Sequence, residues 1–147
     1  MSELSMYPVA ARNVDAVWPL IAHRIRRVEQ STAGVITAEW VREEAEAGRL
    51  HMLVAGEGRR VDVVIGTTID WDDGIVTLRI PFIDGDNRKA WFPEQYRNLE
   101  ALAREKGIER IYLAVRKGWA KLLRGEGFRN TGPADDGRHT IMVKDLD

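Results

Sequence analysis

Few side chains in this sequence can handle a proton or grip a phosphate, and they are scattered. The three histidines, His23, His51 and His139, show no His-x-x-x-His spacing, so no metal site is expected. His139 is a candidate general base, because imidazole titrates near neutral pH, provided that its strand reaches a central cleft. Asp70, Asp72 and Asp73 gather just before Gly74. Asp70 is the candidate among them to accept a proton, although acids beside an Asp-Gly pair also serve a hairpin turn. Tyr96 and Tyr112 offer hydroxyls in settings that equally suit packing. Arg88 and Lys89 are adjacent cations able to clamp phosphate oxygens or face solvent, and Trp91 nearby can pin a helix start by burying its ring. Residue types alone assign no catalytic group, and Asp70 and His139 stand as the candidates.

The chain that must position them has 147 residues, 44% hydrophobic and 31% charged, which fits one globular domain over residues 1–147. Twenty-two Lys and Arg against 23 Asp and Glu give a net charge of −1, which excludes binding of nucleic acid by bulk electrostatics. The lack of cysteine removes disulfides, thiolate metal sites and thiol nucleophiles together. Residues 1–21 carry an early acid, no basic start and no long apolar stretch, so no secretion signal is expected. Charges also interrupt every apolar run well short of the roughly 18–20 residues that cross a bilayer, so no membrane association is expected.

Hydrophobic spacing sets the elements. Residues 14–28 repeat apolar side chains at helical intervals, with Asn13 as N-cap and Pro19 suggesting a regular start some residues later. Thr37 caps a second helix that Gly48 stops, with Trp40, Val41 and Ala45 as its buried side. Three strands follow over residues 50–55, 61–71 and 75–82. The middle one places Val61, Val63, Ile65, Ile69 and Trp71 on one face, and Asp73-Gly74 closes the last hairpin. A helix beginning near Pro93 runs to Gly107 with Tyr96, Leu99, Leu102 and Ala103 as its stripe. A strand over 108–115, a short helix over 118–127 and two tail strands complete the order βααβββαβαββ. That order predicts an α/β fold, a mixed sheet flanked by helices on both faces.

This order, with the phrases VAARNVDAVWPLI, EALAREKGIERIYLAV and KLLRGEGF, resembles the GCN5-related N-acetyltransferase superfamily over nearly the whole chain. The resemblance implies an acyl-coenzyme A N-acyltransferase-like single domain with a mainly antiparallel sheet. The family carries an Arg/Gln-x-x-Gly-x-Gly/Ala loop whose amides hold the cofactor pyrophosphate at a helix start. Here the loop is Arg88-Lys89-Ala90-Trp91-Phe92-Pro93, with Arg88 matching and Trp91 and Pro93 standing at the small-residue positions. The resemblance places the pyrophosphate at Arg88, Lys89 and Ala90, and the pantetheine and acyl carbonyl along Leu78, Arg79 and Ile80. A second family pattern, Asn-x-x-Ala-x-x-x-Tyr before Gly-Phe, ends correctly at Gly127-Phe128, while Arg116 and Leu123 replace its asparagine and its acid tyrosine.

These departures imply a non-catalytic acetyltransferase-like protein that needs no cofactor. In size and loop character the chain is also similar to acetyltransferase-like internal virion proteins of short-tailed bacteriophages. That similarity implies a virion or virion-associated component in the virion or host cytoplasm, with a protein partner such as a capsid or tail protein. The alternative is an N-acyltransferase that moves an acetyl group from acetyl-coenzyme A to an amine substrate. Arg24, Arg26 and Arg27, with Arg116, Lys117, Lys121 and Arg124, could form one basic face for an acidic protein. Without interleaved aromatics, nucleic acid is not an expected partner.

Overall fold

The structure, a computed structural model, describes residues 5–146. Met1–Leu4, where the stretch read for a leader begins, lie outside the described residues. The elements are β1 (Ser5–Val9), a 3-10 turn (Ala11–Asn13), α1 (Val14–Ser31), α2 (Ala38–Glu46), β2 (His51–Glu57), β3 (Arg60–Asp72) and β4 (Ile75–Gly85). Then come α3 (Arg88–Glu105), β5 (Arg110–Val115), α4 (Lys117–Gly125), β6 (Arg129–Pro133) and β7 (Thr140–Asp145). The order is the one the sequence predicts. The sheet is seven-stranded, ordered β1-β2-β3-β4-β5-β7-β6, with β4 and β5 parallel and β1-β2, β2-β3, β5-β7 and β6-β7 antiparallel. No helix among the described residues is long and apolar enough to cross a membrane.

The chain forms two compact units. The first holds residues up to 68 together with 81–87. Its core joins Ile21, Ile25 and Val28 of α1 and Val41 and Ala45 of α2 to Met52, Val64 and Phe82 of the strands. Thr37 caps α2 as expected, its hydroxyl accepting the Trp40 N–H at 3.1 Å. Asn13 makes no such side-chain bond, and α1 nonetheless starts directly after it. The delayed start suggested by Pro19 does not occur: Pro19 is the sixth residue of α1, where its fixed φ suits the helix and the loss is one hydrogen bond to the Asp15 carbonyl. Residues 63–67 of β3 are buried in succession, so alternation fails in mid-strand.

The second unit holds residues 69–80 and 88–147. Trp91, Phe92, Tyr96, Leu99 and Ala103 of α3, Ile111 and Leu113 of β5, Leu123 of α4 and Met142 of β7 are among its buried apolar side chains. The expected start of α3 near Pro93 is five residues late, since the helix begins at Arg88 and carries Pro93 in its second turn. Ile69 and Trp71, read on one face of β3 with Val61, Val63 and Ile65, are exposed. They sit at the tip of the hairpin whose Asp73 and Gly74 take φ of 53° and 81°, the left-handed pair that a two-residue turn needs.

Candidate functional site

The parallel β4–β5 ladder runs Thr77–Arg110, Leu78–Ile111, Arg79–Tyr112 and stops. Two residues later β4 reaches Pro81, which has no N–H with which to extend a ladder. By chain connection, α3 begins after β4 and α4 directly after β5, so both helices start at the carboxyl end of the parallel pair. Neither first turn contains an acid, and Arg88, Lys89, Arg116 and Lys117 crowd these starts with positive charge. Cations there oppose the helix dipoles unless an anion is present.

Arg88 bridges the two starts. Its Nη2 lies 2.6 Å from the point that a Cβ on Gly118 would occupy, and its guanidinium carbon lies 5.2 Å from the centre of the Trp119 ring. The Arg88 Nε is buried without a hydrogen-bond partner among the described residues, a costly state for a cation's N–H. Lys89 and Ala90 are exposed in the same turn, where backbone amides have no intrahelical acceptor. Arg88, Lys89 and Ala90 therefore suit a phosphate group. Trp91 and Pro93 do not obstruct them. The Trp91 ring is buried, 6.0 Å from Trp119 and 6.1 Å from Phe92 between ring centres. An N–H at position 93 would have been spent on the Lys89 carbonyl rather than offered to a ligand. Both Trp91 and Pro93 lie inside α3, beyond the exposed first-turn residues Lys89 and Ala90.

Leu123 is fully buried and offers no proton where the resemblance places a tyrosine. Tyr96 is also buried, and its hydroxyl donates to Glu100 Oε1 at 2.6 Å. Burial first, then the Glu100 carboxylate, pushes the Tyr96 phenol far above its ordinary range. Tyr112 lies under Arg79, whose guanidinium carbon is 4.3 Å from the ring centre. Arg79 also holds Asp70 at 2.9 Å and Asp72 at 3.2 Å, so the Asp70 carboxylate is engaged in an ion pair. His23 and His51 are exposed. No group of three or more metal-ligating side chains forms among the described residues.

His139 stands apart from these. Its Nδ1 bonds Asp136 Oδ2, and Asp136 Oδ1 accepts the backbone N–H groups of Arg138 at 2.8 Å and His139 at 3.0 Å. Those backbone bonds, from His139 first and then Arg138, hold the Asp136 carboxyl down to about 2. Sequence reasoning singled out His139 and missed Asp136, although an acid three residues before a histidine in a Gly-containing turn is a legible signal. Two of the three arginines in the basic run on α1 are engaged in ion pairs, while Arg26 is exposed. Arg24 is buried against Asp84 at 3.2 Å and Asp86 at 3.4 Å, and Arg27 reaches Asp86 at 2.9 Å.

No protein-family model matches the sequence, and no curated protein matches it. Solved structures do. An acetyltransferase of the GNAT family from Streptococcus pneumoniae has 17% identity and a TM-score of 0.71, covering 99% of this chain and 100% of its own. A probable acetyltransferase from Staphylococcus epidermidis has 10% identity and a TM-score of 0.71, over 98% and 99% of the two chains. The PaiA N-acetyltransferase from Thermoplasma acidophilum, solved in complex with coenzyme A, has 16% identity and a TM-score of 0.61, over 99% and 100%. At these identities the likeness is one of architecture, end to end. The chain has the fold of the GCN5-related N-acetyltransferases.

Proposed function

We propose that this protein is an N-acyltransferase that uses an acyl-coenzyme A donor and an amine acceptor. The observation that carries the reading is the buried, unpartnered Arg88 Nε at the first turn of α3. A guanidinium whose Nε is buried between two helix starts, with the first-turn amides of α3 beside it, is suited to a pyrophosphate. The fold supports the same reading, as does the neighbour solved with coenzyme A. Nothing in the geometry or in these neighbours points to the virion component that the eroded motifs suggest.

Acetyl-coenzyme A would supply an activated thioester. Arg88, with the amides of Lys89 and Ala90, would fix the donor's phosphates. The backbone of Leu78, Arg79 and Ile80, where the ladder to β5 ends, would orient the extended arm of the donor. Arg79 is itself held by Asp70, Asp72 and the Tyr112 ring, so that stretch of β4 is presented rigidly.

Calorimetric titration with coenzyme A tests the reading. Micromolar affinity that falls at least tenfold in Arg88→Ala is the expected result. Absence of binding at millimolar coenzyme A would sink the proposal and return the non-catalytic, protein-binding role to the front.

A further inference from the structure

We propose that His139 accepts the proton of the attacking amine and that Asp136 positions it. The inference rests on the acyltransferase reading above and adds the proton acceptor that Tyr96 and Asp70 do not provide.

The pair has the form that such work requires. An ionised carboxylate only accepts hydrogen bonds, so the contact to Asp136 Oδ2 places the imidazole proton on Nδ1 and leaves the Nε2 lone pair available. Asp136 cannot swing away cheaply, because its other oxygen is held by two backbone N–H groups. The His139 side chain is only 16% exposed, and its backbone is fixed by the Ala134 N–H, which donates to the His139 carbonyl at 2.8 Å. This is a held imidazole in a hairpin mouth, unlike the exposed His23 and His51.

Its place in the sheet is equally specific. Thr140, the next residue, pairs with Val115, the last residue of β5, and α4 begins two residues beyond. His139 therefore lies at the carboxyl end of the parallel pair. Strand alternation continued back from Val143 and Ile141 puts His139 in their row, beside the β5 row of Tyr112 and Ala114. Ala114 is small and exposed, which leaves space for an acceptor between the end of the β4–β5 ladder and the imidazole. At about 3.3 Å per strand residue, His139 stands four residues, about 13 Å, beyond the Arg79–Tyr112 pair, room for one acceptor head group.

The step balances without any added reagent. The amine nitrogen forms a bond to the thioester carbonyl carbon, and the carbon–sulfur bond breaks with its electron pair leaving on sulfur. The proton lost by nitrogen passes to His139 Nε2 and then to the departing thiolate, so the products are an amide and a thiol.

Nitrogen-detected NMR of the full chain at pH 8, followed through a titration with coenzyme A, tests this without knowledge of the acceptor. His139 is expected as the Nδ1–H tautomer, with its ring resonance moving on saturation while those of His23 and His51 stay in place. Asp136→Asn should turn His139 into a tautomer mixture. With acetyl-coenzyme A and spermidine, tyramine or a lysine peptide as acceptor, His139→Gln should lower kcat by about 10²–10⁴-fold, with coenzyme A affinity unchanged. Asp136→Asn should lower kcat without raising KM, and Asp136→Glu should recover part of the loss. An Nε2–H tautomer, a His139 resonance unmoved at saturation, or wild-type kcat in His139→Gln overturns the assignment. Failure of the wild-type chain to bind coenzyme A is seen first and separately, and it removes the acyltransferase reading and this inference with it.

Discussion

Nη2 of Arg88 lies where a methyl group on residue 118 would sit, at 2.6 Å, so Gly118 is what lets the guanidinium lie across the start of α4. Gly118 itself has no φ that demands glycine, and the requirement is one of space. Gly118→Ala is therefore expected to leave α4 intact and to displace Arg88. Hydrogen bonds to charged groups are worth about 1.5–3 kcal/mol, so coenzyme A affinity should fall by roughly 10- to 100-fold with little change in melting temperature. Calorimetry and thermal unfolding on the same variant check both halves.

The Lys144–Glu100 contact gives a pH-dependent prediction. Lys144 Nζ donates to Glu100 Oε1 at 2.5 Å and to the Glu126 carbonyl at 2.7 Å, tying β7 to α3 and to the end of α4. Burial alone would raise the Glu100 carboxyl, but the hydrogen bonds from Lys144 and Tyr96 and the Lys144 charge prevail and hold it below its ordinary value. A depressed carboxylate contributes stability that is present above its unfolded value of about 4.3 and lost as pH falls through its folded value. Lys144→Met should thus lower stability by about 1–3 kcal/mol at pH 7. The gap to wild type should narrow as the pH drops below about 4, read by urea unfolding across pH.

The element order was legible because its punctuation is local. The Thr37 hydroxyl, the Asp73-Gly74 pair and Gly107, with φ of 78°, each force a boundary on their own. Pro19 and Pro93 misled, because a proline in a second turn reads like a helix start while costing the helix one hydrogen bond. Trp71 misled for a different reason: it keeps the apolar period of β3 at a hairpin tip that nothing in its unit covers. The site was half legible. Arg88 could be counted back from Gly107, whereas its place beside Gly118 depends on two helix starts 29 residues apart in sequence.

Gly66 and Phe82 should behave as one unit. A Cβ on Gly66 would overlap the Phe82 ring, which lies in the core with Ile21, Ile25 and Val64. Gly66→Ala is expected to cost about 1–3 kcal/mol through overpacking. Phe82→Leu removes the ring edge that meets the new methyl, so the double variant should lose less than the sum of the two single losses. A double-mutant cycle by denaturant unfolding checks this, and strict additivity would count against the contact.

Arg24 offers the sharpest stability test. Its Nε donates to the Val61 carbonyl at 3.0 Å, while Nη1 and Nη2 reach Asp84 and Asp86 at 3.2 and 3.4 Å. The Arg24 and Asp84 side chains are 7% and 12% exposed, so neither charge is well solvated. Arg27, whose Nε is 3.5 Å from Asp84, is half-exposed and cannot replace the lost partner in full. Arg24→Met should cost about 3–5 kcal/mol, because it strands the Asp84 carboxylate and the Val61 carbonyl together. Arg24→Lys should lose most of the same amount, since one ammonium cannot serve three acceptors in the geometry of a fork. Arg24→Met combined with Asp84→Leu removes both buried charges and should be more stable than Arg24→Met alone, by urea unfolding at neutral pH. If the second substitution deepens the loss instead, the pair is held by packing around the arginine stem rather than by its charge.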